Sequence, residues 1–285
     1  VKVGFFASEK PRERLLADAF IRGLAAHGDS GKVIHLTGEP IVAKGCEVVV
    51  MVGVKSRELY QANIKAGVHV IMMDKGYVRH KIGGPVRIWE YWRVAVDAHH
   101  PTRTLMKVPR LLKRANAVGL RLAPWRRRGK HVLIAGSSAK YHNFYGMPEP
   151  TEYTIGMVRK IRQHTDMEII YRPKPSWRGA QPIHGTTFSG VGDRLGDVLK
   201  DCHVLVTHGS NACFEAMLAG VPSVIIGNGI TLPISSDKLR AVNKPLLAPM
   251  ANRRQWLANL AYCQWTMHEF ESGEAWATIR PQIYG

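Results

Sequence analysis

The sequence has no acidic residue between Asp97 and Glu149. It has only four cysteines, Cys46, Cys202, Cys213 and Cys263, and none belongs to a CxxC pair. That spacing argues against a zinc ribbon or a thioredoxin-like motif. The apolar context of each cysteine predicts a buried, reduced thiol. Long apolar runs are missing too. The longest, such as Val221 to Gly227, fall far short of the roughly 20 residues that a spanning helix needs. The first residues, Val1-Lys2-Val3-Gly4-Phe5-Phe6, read as a strand and not as a signal peptide, so a cytoplasmic chain is expected.

Against these absences stands a large surplus of positive charge. The 285 residues carry 40 Lys and Arg against 22 Asp and Glu, a net charge of +18. Residues 1–130 hold 25 basic and 10 acidic side chains, whereas residues 131–285 hold 15 and 12. The acid-free gap contains Arg103, Lys107, Arg110, Lys113, Arg114, Arg121, Arg126, Arg127, Arg128 and Lys130. Solubility does not require such a block. A polyanionic partner is expected, either duplex DNA or an anionic membrane surface.

The hydrophobic pattern alternates between strand and helix. Strands are expected at 2–6, 32–36, 46–52 and 68–73, with helices at 11–27 and 56–66 between them. This βαβ rhythm implies a parallel sheet covered on both faces. From 74 to 130 the pattern loosens around Gly76, Gly83-Gly84-Pro85, Pro101, Pro109 and Pro124. Loops with one extended piece, 89–96, are expected there, followed by a basic amphipathic helix over 103–120. The rhythm restarts with a strand at 131–135, a polar loop at 136–146 and a helix at 151–164. Strands at 168–171, 187–189, 203–206 and 223–227 follow, with helices at 194–200 and 212–219, and a last helix over 252–272. The expected fold class is α/β, with two Rossmann-like domains, 1–128 and 129–285, facing a cleft. The last helix is a candidate to cross back to the first domain.

The strongest motif runs from Val204 through His208-Gly209-Ser210-Asn211 to Glu215 and Gly220-Val221-Pro222. It reads as strand, tight turn, helix, turn. Amides at a helix start favour an anion, Gly209 permits close backbone approach, and Ser210 can cap or donate. Glu215, one turn in, can accept from ribose hydroxyls. The bland alternative is a capped structural turn.

This segment resembles the donor site of glycosyltransferase-B enzymes, in particular capsule polysaccharide transferases and glycosyltransferases of bacteriophages. The likeness covers residues 131–285 well. The stretches Asp74 to Tyr77, Tyr91 to Thr102, Trp256-Leu257, Cys263 to Thr266 and Ser272 to Trp276 look like the phage group. The resemblance implies a sugar-nucleotide donor, in the first instance a UDP-sugar, held by the C-terminal domain, and an acceptor held by the N-terminal one. A divalent metal is left open, and no metal site is read from the residues.

Two further segments join the donor side. Tyr171-Arg172-Pro173-Lys174-Pro175 follows a buried strand, so Arg172 and Lys174 are expected to face a diphosphate. The resembling families carry a similar basic, proline-rich segment there. Ser137, Ser138 and Lys140, after the strand 131–135, offer hydroxyls and a cation to phosphate. A base that takes a proton from an acceptor hydroxyl should stand at a strand end of the first domain. Asp74 fits best, with Asp97, His99, His100 and Glu13 behind it. Acceptor contacts are expected from Tyr77, Trp92, Arg93, His100, Arg126, Arg127 and Arg128, with Trp89, Tyr91 and Trp125 as further stacking surfaces. The leading expectation is transfer of a sugar onto a hydroxymethylated base of phage DNA, in the cytoplasm of an infected bacterium. An envelope or capsule polysaccharide transferase at an anionic membrane is the alternative. A non-catalytic nucleic-acid-binding protein on the same scaffold is the third.

Overall fold

A computed structural model of the chain describes residues 1–36, 42–78, 81–82, 88–190 and 192–284, with backbone only at 81–82 and 88–89. Gly83, Gly84, Pro85 and the Trp89 side chain therefore lie outside the described residues. The described chain gathers into two compact units: Val1–Pro101 with Ala261–Gly285, and Thr102–Leu260.

Unit 1 is built on β1 (Lys2–Ala7), β2 (Ser30–His35), β3 (Val48–Val52) and β4 (His69–Lys75), with helices α1 (Pro11–Ala25) and α2 (Arg57–Lys65). The four strands are parallel in the order β2-β1-β3-β4. The all-buried Val-Val-Val-Met-Val run of β3 is what a strand covered on both faces requires. A short antiparallel pair, β5 (Lys81–Ile82) and β6 (Ile88–Trp89), stands apart. Then β7 (Trp92–Val96) returns antiparallel to β4. Pro11 starts α1, and Leu16, Phe20 and Leu24 bury its inner face against the sheet.

Unit 2 begins with a strap, residues 102–130, in which only α3 (Lys113–Ala117) is helical. The amphipathic helix expected over 103–120 does not form. Pro109 and Gly119 interrupt it, and the strap bonds instead to the rest of unit 2. Arg126 donates its amide to Gly220 and Ala123 to Leu218. The sheet follows: β8 (His131–Ala135), β9 (Glu168–Arg172), β10 (Thr187–Phe188), β11 (Cys202–Thr207) and β12 (Ser223–Ile225). All five are parallel, in the order β10-β9-β8-β11-β12. Helices α4 (Ala139–Tyr145), α5 (Pro150–Arg162), α6 (Leu195–Leu199) and α7 (Ala212–Leu218) connect them, and α8 (Met250–Ala261) follows. The expected loop at 136–146 thus contains a helix, capped by Ser138 at its start and by Gly146, at φ +63°, at its end.

The helix expected over 252–272 is also divided. After α8 comes β13 (Gln264–Trp265), antiparallel to β7, and then α9 (Met267–Glu271), opened by a Thr266–Glu269 capping box. Helices α10 (Glu274–Ile279) and α11 (Pro281–Tyr284) complete unit 1. Phe270 and Trp276 pack edge-on against Phe20, with ring centroids 5.8 and 5.7 Å away. A side chain at Gly23 would overlap the Phe270 carbonyl, so that glycine is what lets α9 lie on α1.

This division moves the charge. Unit 2 holds 24 Lys and Arg against nine Asp and Glu, a net of +15, and unit 1 holds 16 against 13, a net of +3. The expectation of a cationic acceptor domain is overturned: the surplus sits on the unit expected to bind the donor.

Candidate functional site

In unit 2, β8 is the first strand and has β9 on one side and β11 on the other, so the chain reverses direction of winding there. Such a switch point opens a crevice at the C-terminal strand ends, where ligands of doubly wound sheets bind. The loops that leave it are Gly136-Ser137-Ser138, after β8, and His208-Gly209-Ser210-Asn211, after β11. The fold therefore brings two of the sequence-predicted donor segments together. Thr207 ties them: its hydroxyl donates to the Ala135 carbonyl at 2.8 Å and accepts the Ser210 amide at 3.0 Å.

Around these loops stands a cluster of aromatic and imidazole rings. Tyr153, on α5, lies 2.9 Å from His208 Nδ1, and Tyr141, on α4, packs edge-on against the same ring. Burial pushes the Tyr153 phenol up to about 12, so it keeps its proton and donates. The His208 proton then sits on Nε2. Burial, with His142 nearby, lowers the His208 pKa and keeps the ring neutral. His142 faces the Pro148 carbonyl at 2.6 Å through Nδ1 and is also lowered by burial.

Two glycines allow this packing. A Cβ at Gly209 would overlap the Tyr141 hydroxyl and stand 3.1 Å from the Asn228 carbonyl oxygen, and one at Gly227 would overlap the His208 ring. Gly209 thus makes room on the protein side of the loop. Asn228 also accepts a hydrogen bond from Thr102 at 2.6 Å. Tyr141, Tyr153, Gly227 and Asn228 were not among the expected site residues. The Gly227-Asn228-Gly229 turn directly after a buried strand was the available signal.

The other donor candidates differ. Ser137 is buried, and Ser138 spends its hydroxyl on the α4 cap at 3.4 Å. Lys140, Lys174 and Glu215 are exposed, and Asn211 is half-buried at the start of α7. Arg172 is buried, and its guanidinium donates to Ser189 Oγ (2.8 Å) and to the carbonyls of Gly190 (3.3 Å) and Asp193 (2.8 Å). It clamps the loop after β10 instead of standing open to a diphosphate, because a buried guanidinium must satisfy its own donors first.

The acceptor candidates are mostly interior. Trp92 is a core residue of unit 1. Tyr77, Arg93, His99 and His100 form one buried polar cluster with Asp74. Arg93 donates to Asp74 Oδ2 at 3.0 Å and lies 2.8 Å from His100 Nδ1, which also pairs with the Tyr77 hydroxyl at 2.9 Å. Burial works most strongly against the Arg93 charge, but Asp74 and Tyr77 together outweigh it and raise the pKa. None of Tyr77, Trp92, Arg93 and His100 is therefore an exposed stacking or phosphate-contacting surface. Trp125 lies under Arg253, whose guanidinium carbon is 3.8 Å from the ring, and donates to the Ala248 carbonyl. Arg126, Arg127 and Arg128 precede β8 and lie by the N-terminal strand ends of unit 2, opposite the loops of the crevice.

Among the carboxylates, Asp74 is the last but one residue of β4, at the C-terminal edge of the unit 1 sheet, and its side chain is 37% exposed. Asp97 lies at the opposite edge. It has φ +52°, accepts from the Val70 amide and pairs with His69, both at 2.7 Å, so it fastens the return of β7. Glu13 sits at the switch point of the unit 1 sheet, between the loops after β1 and β3. Its Oε2 accepts from Ser8 Oγ (2.7 Å), the Ser8 amide (3.1 Å) and Lys55. Burial would raise this carboxyl, but those donors outweigh it and hold the pKa low. Among the described residues no group of three His, Cys, Asp or Glu is placed to hold a metal ion, and no helix is long and apolar enough to cross a membrane.

No family model matches the chain, and no curated protein matches it in sequence. Solved structures do. The chain is similar to KpsC of Thermosulfurimonas dismutans, described as a beta Kdo 2,7 transferase, with TM-score 0.54 and 15% identity over 95% of this chain and 99% of that one. It is also similar to the same organism's KpsC described as a beta Kdo 2,4 transferase, with TM-score 0.52 and 12% identity over 90% of this chain and 89% of that one. The fold is of the glycosyltransferase-B type. Two Rossmann-like units, each with its own switch point, are what that fold requires, and the chain spans nearly the whole length of both structures.

Proposed function

We propose that the chain is a glycosyltransferase that moves a sugar from a sugar nucleotide to a hydroxyl acceptor. The observation that carries this reading is the convergence of the Ser137 and His208 loops at the switch point of unit 2. There, Ser137, His208, Ser210, Asn211 and Lys140 supply donors and charge for a nucleotide sugar. The +15 net charge of the same unit favours an anionic ligand by steering it from solution. A UDP-sugar is the donor to try first. Unit 1 is proposed to receive the acceptor, with Asp74 as the base. A base must be reachable by the hydroxyl it deprotonates, and Asp74 is far more accessible than Glu13, whose side chain is 1% exposed.

For the acceptor, a glycan has more support than DNA. Of the residues expected to stack on an extruded base, Trp92 and Arg93 turn out to be buried, and Tyr91 and Trp125 are half-buried. The solved structures of like fold carry Kdo transferase descriptions, which are sugar transfers. The deciding experiment incubates the protein with a panel of sugar nucleotides and with glycolipid, hydroxymethylated duplex DNA and plain duplex DNA. Products are read by mass. Transfer to glycolipid is expected, transfer to DNA alone would reinstate the phage-DNA reading, and no sugar-nucleotide binding by calorimetry would remove the transferase reading.

A further inference from the structure

We propose that the strap segment Arg103–Lys113 of unit 2 docks on an anionic lipid surface. Three observations carry the inference, and none depends on the transferase reading. First, Leu111 is 79% exposed and Val108 56%, the two most solvent-exposed large aliphatic side chains among the described residues. Met106, also exposed, stands beside them. Second, Arg103, Lys107 and Lys113 alternate with them, all exposed, in a stretch of chain without a single acidic residue. Third, the segment is held in place. The Arg110 amide donates to Asn259 Oδ1 at 2.9 Å, Asn259 donates back to the Leu105 carbonyl at 2.6 Å, and Gln255 donates to the Arg110 carbonyl at 3.1 Å. Leu105, itself one of the anchors, is buried.

The result is a short loop fixed at its base to α8, with aliphatic tips and cationic flanks. Exposed aliphatics gain nothing from a phosphate backbone, whereas an interface of acyl chains and anionic headgroups rewards both halves of the pattern. A nucleic-acid surface would instead set aromatic side chains among its cations. Here the nearest tryptophan of the strap, Trp125, is covered by Arg253.

The test is co-sedimentation of the whole chain with vesicles of phosphatidylcholine, with and without phosphatidylglycerol. Binding is expected only with phosphatidylglycerol, falling as salt rises. Lys107→Gln and Lys113→Gln should each weaken it by about fivefold, and Leu111→Ser with Val108→Ser should abolish most of it. These side chains are exposed, so circular dichroism of each variant should match the parent. Vesicle binding that ignores the two aliphatic replacements would overturn the proposal. So would affinity for duplex DNA without affinity for vesicles, or a dimer in solution that Leu111→Ser converts to a monomer while vesicles stay unbound. The assay contains no sugar nucleotide, so its failure is distinct from failure of the transferase reading.

Discussion

Replacing Gly209 by alanine tests whether the loop after β11 is held by packing from within. The new methyl would overlap the Tyr141 hydroxyl and approach Tyr141 Cζ and the Asn228 carbonyl oxygen to 3.1 Å. Carbon atoms prefer 3.5–4.0 Å, so the phenol must swing aside by about 1 Å. Tyr141 is packed against Tyr145 and His208, with ring centroids 4.6 and 6.0 Å away, and has little room to do so. Overpacking of this kind costs about 1–3 kcal/mol. Removing the hydroxyl relieves the worst overlap but leaves the tight Cζ contact. Gly209→Ala with Tyr141→Phe should therefore be less destabilised than the sum of the single changes, by roughly 0.5–3 kcal/mol of coupling. Urea unfolding of the four proteins measures this, and sugar-nucleotide affinity should follow the same order, because the methyl points into the protein and not at the ligand. A Gly209→Ala protein as stable as the parent would refute the packing account. Additive single and double changes would refute the role given to Tyr141.

Three further outcomes follow from the same geometry. Asp74→Asn leaves the buried Arg93 guanidinium without its countercharge. Because Asp74 is partly exposed, the cost should lie at the low end of the about 3–5 kcal/mol seen for broken buried pairs, and turnover should fall more than donor affinity. An unchanged melting temperature would contradict the pairing. Arg172→Ala should destabilise unit 2 by about 1–3 kcal/mol by orphaning acceptors at Ser189, Gly190 and Asp193. Arg172→Lys should not restore the lost bonds, while Lys174→Ala should leave stability unchanged. Burial lowers the pKa values of His131, His142 and His208 below the ordinary value. The unfolded chain then binds more protons as pH falls. Stability is fully present above about pH 6.5 and is lost as pH drops through the lowered folded values. Melting followed from about pH 8 to about pH 5.5 should show this decline, and His208→Gln should flatten it.

The strands and helices were largely legible because they depend on local periodicity. The Val48–Val52 run, the Leu16, Phe20 and Leu24 spacing and the Gly/Ser turns after buried strands each announce themselves within a few residues. The same local rule placed the Ser137 and His208 loops at strand ends, and strand order then made them neighbours. What the sequence could not decide was every property fixed by partners far away in the chain. Arg172 reads as an open cation until Ser189, Gly190 and Asp193 close on it. Trp92 reads as a stacking surface until it enters the core beside Trp265, and Asp97 reads as a strand-end acid until its strand runs backwards. The largest reversal concerns charge. The basic run at 102–130 reads as the end of the first domain, 1–128, but its backbone bonds to Gly220 and Leu218 attach it to the second. Covalent order sets which residues are adjacent on the chain. Only long-range burial and hydrogen bonding set which unit they belong to, and so where the field of the protein points.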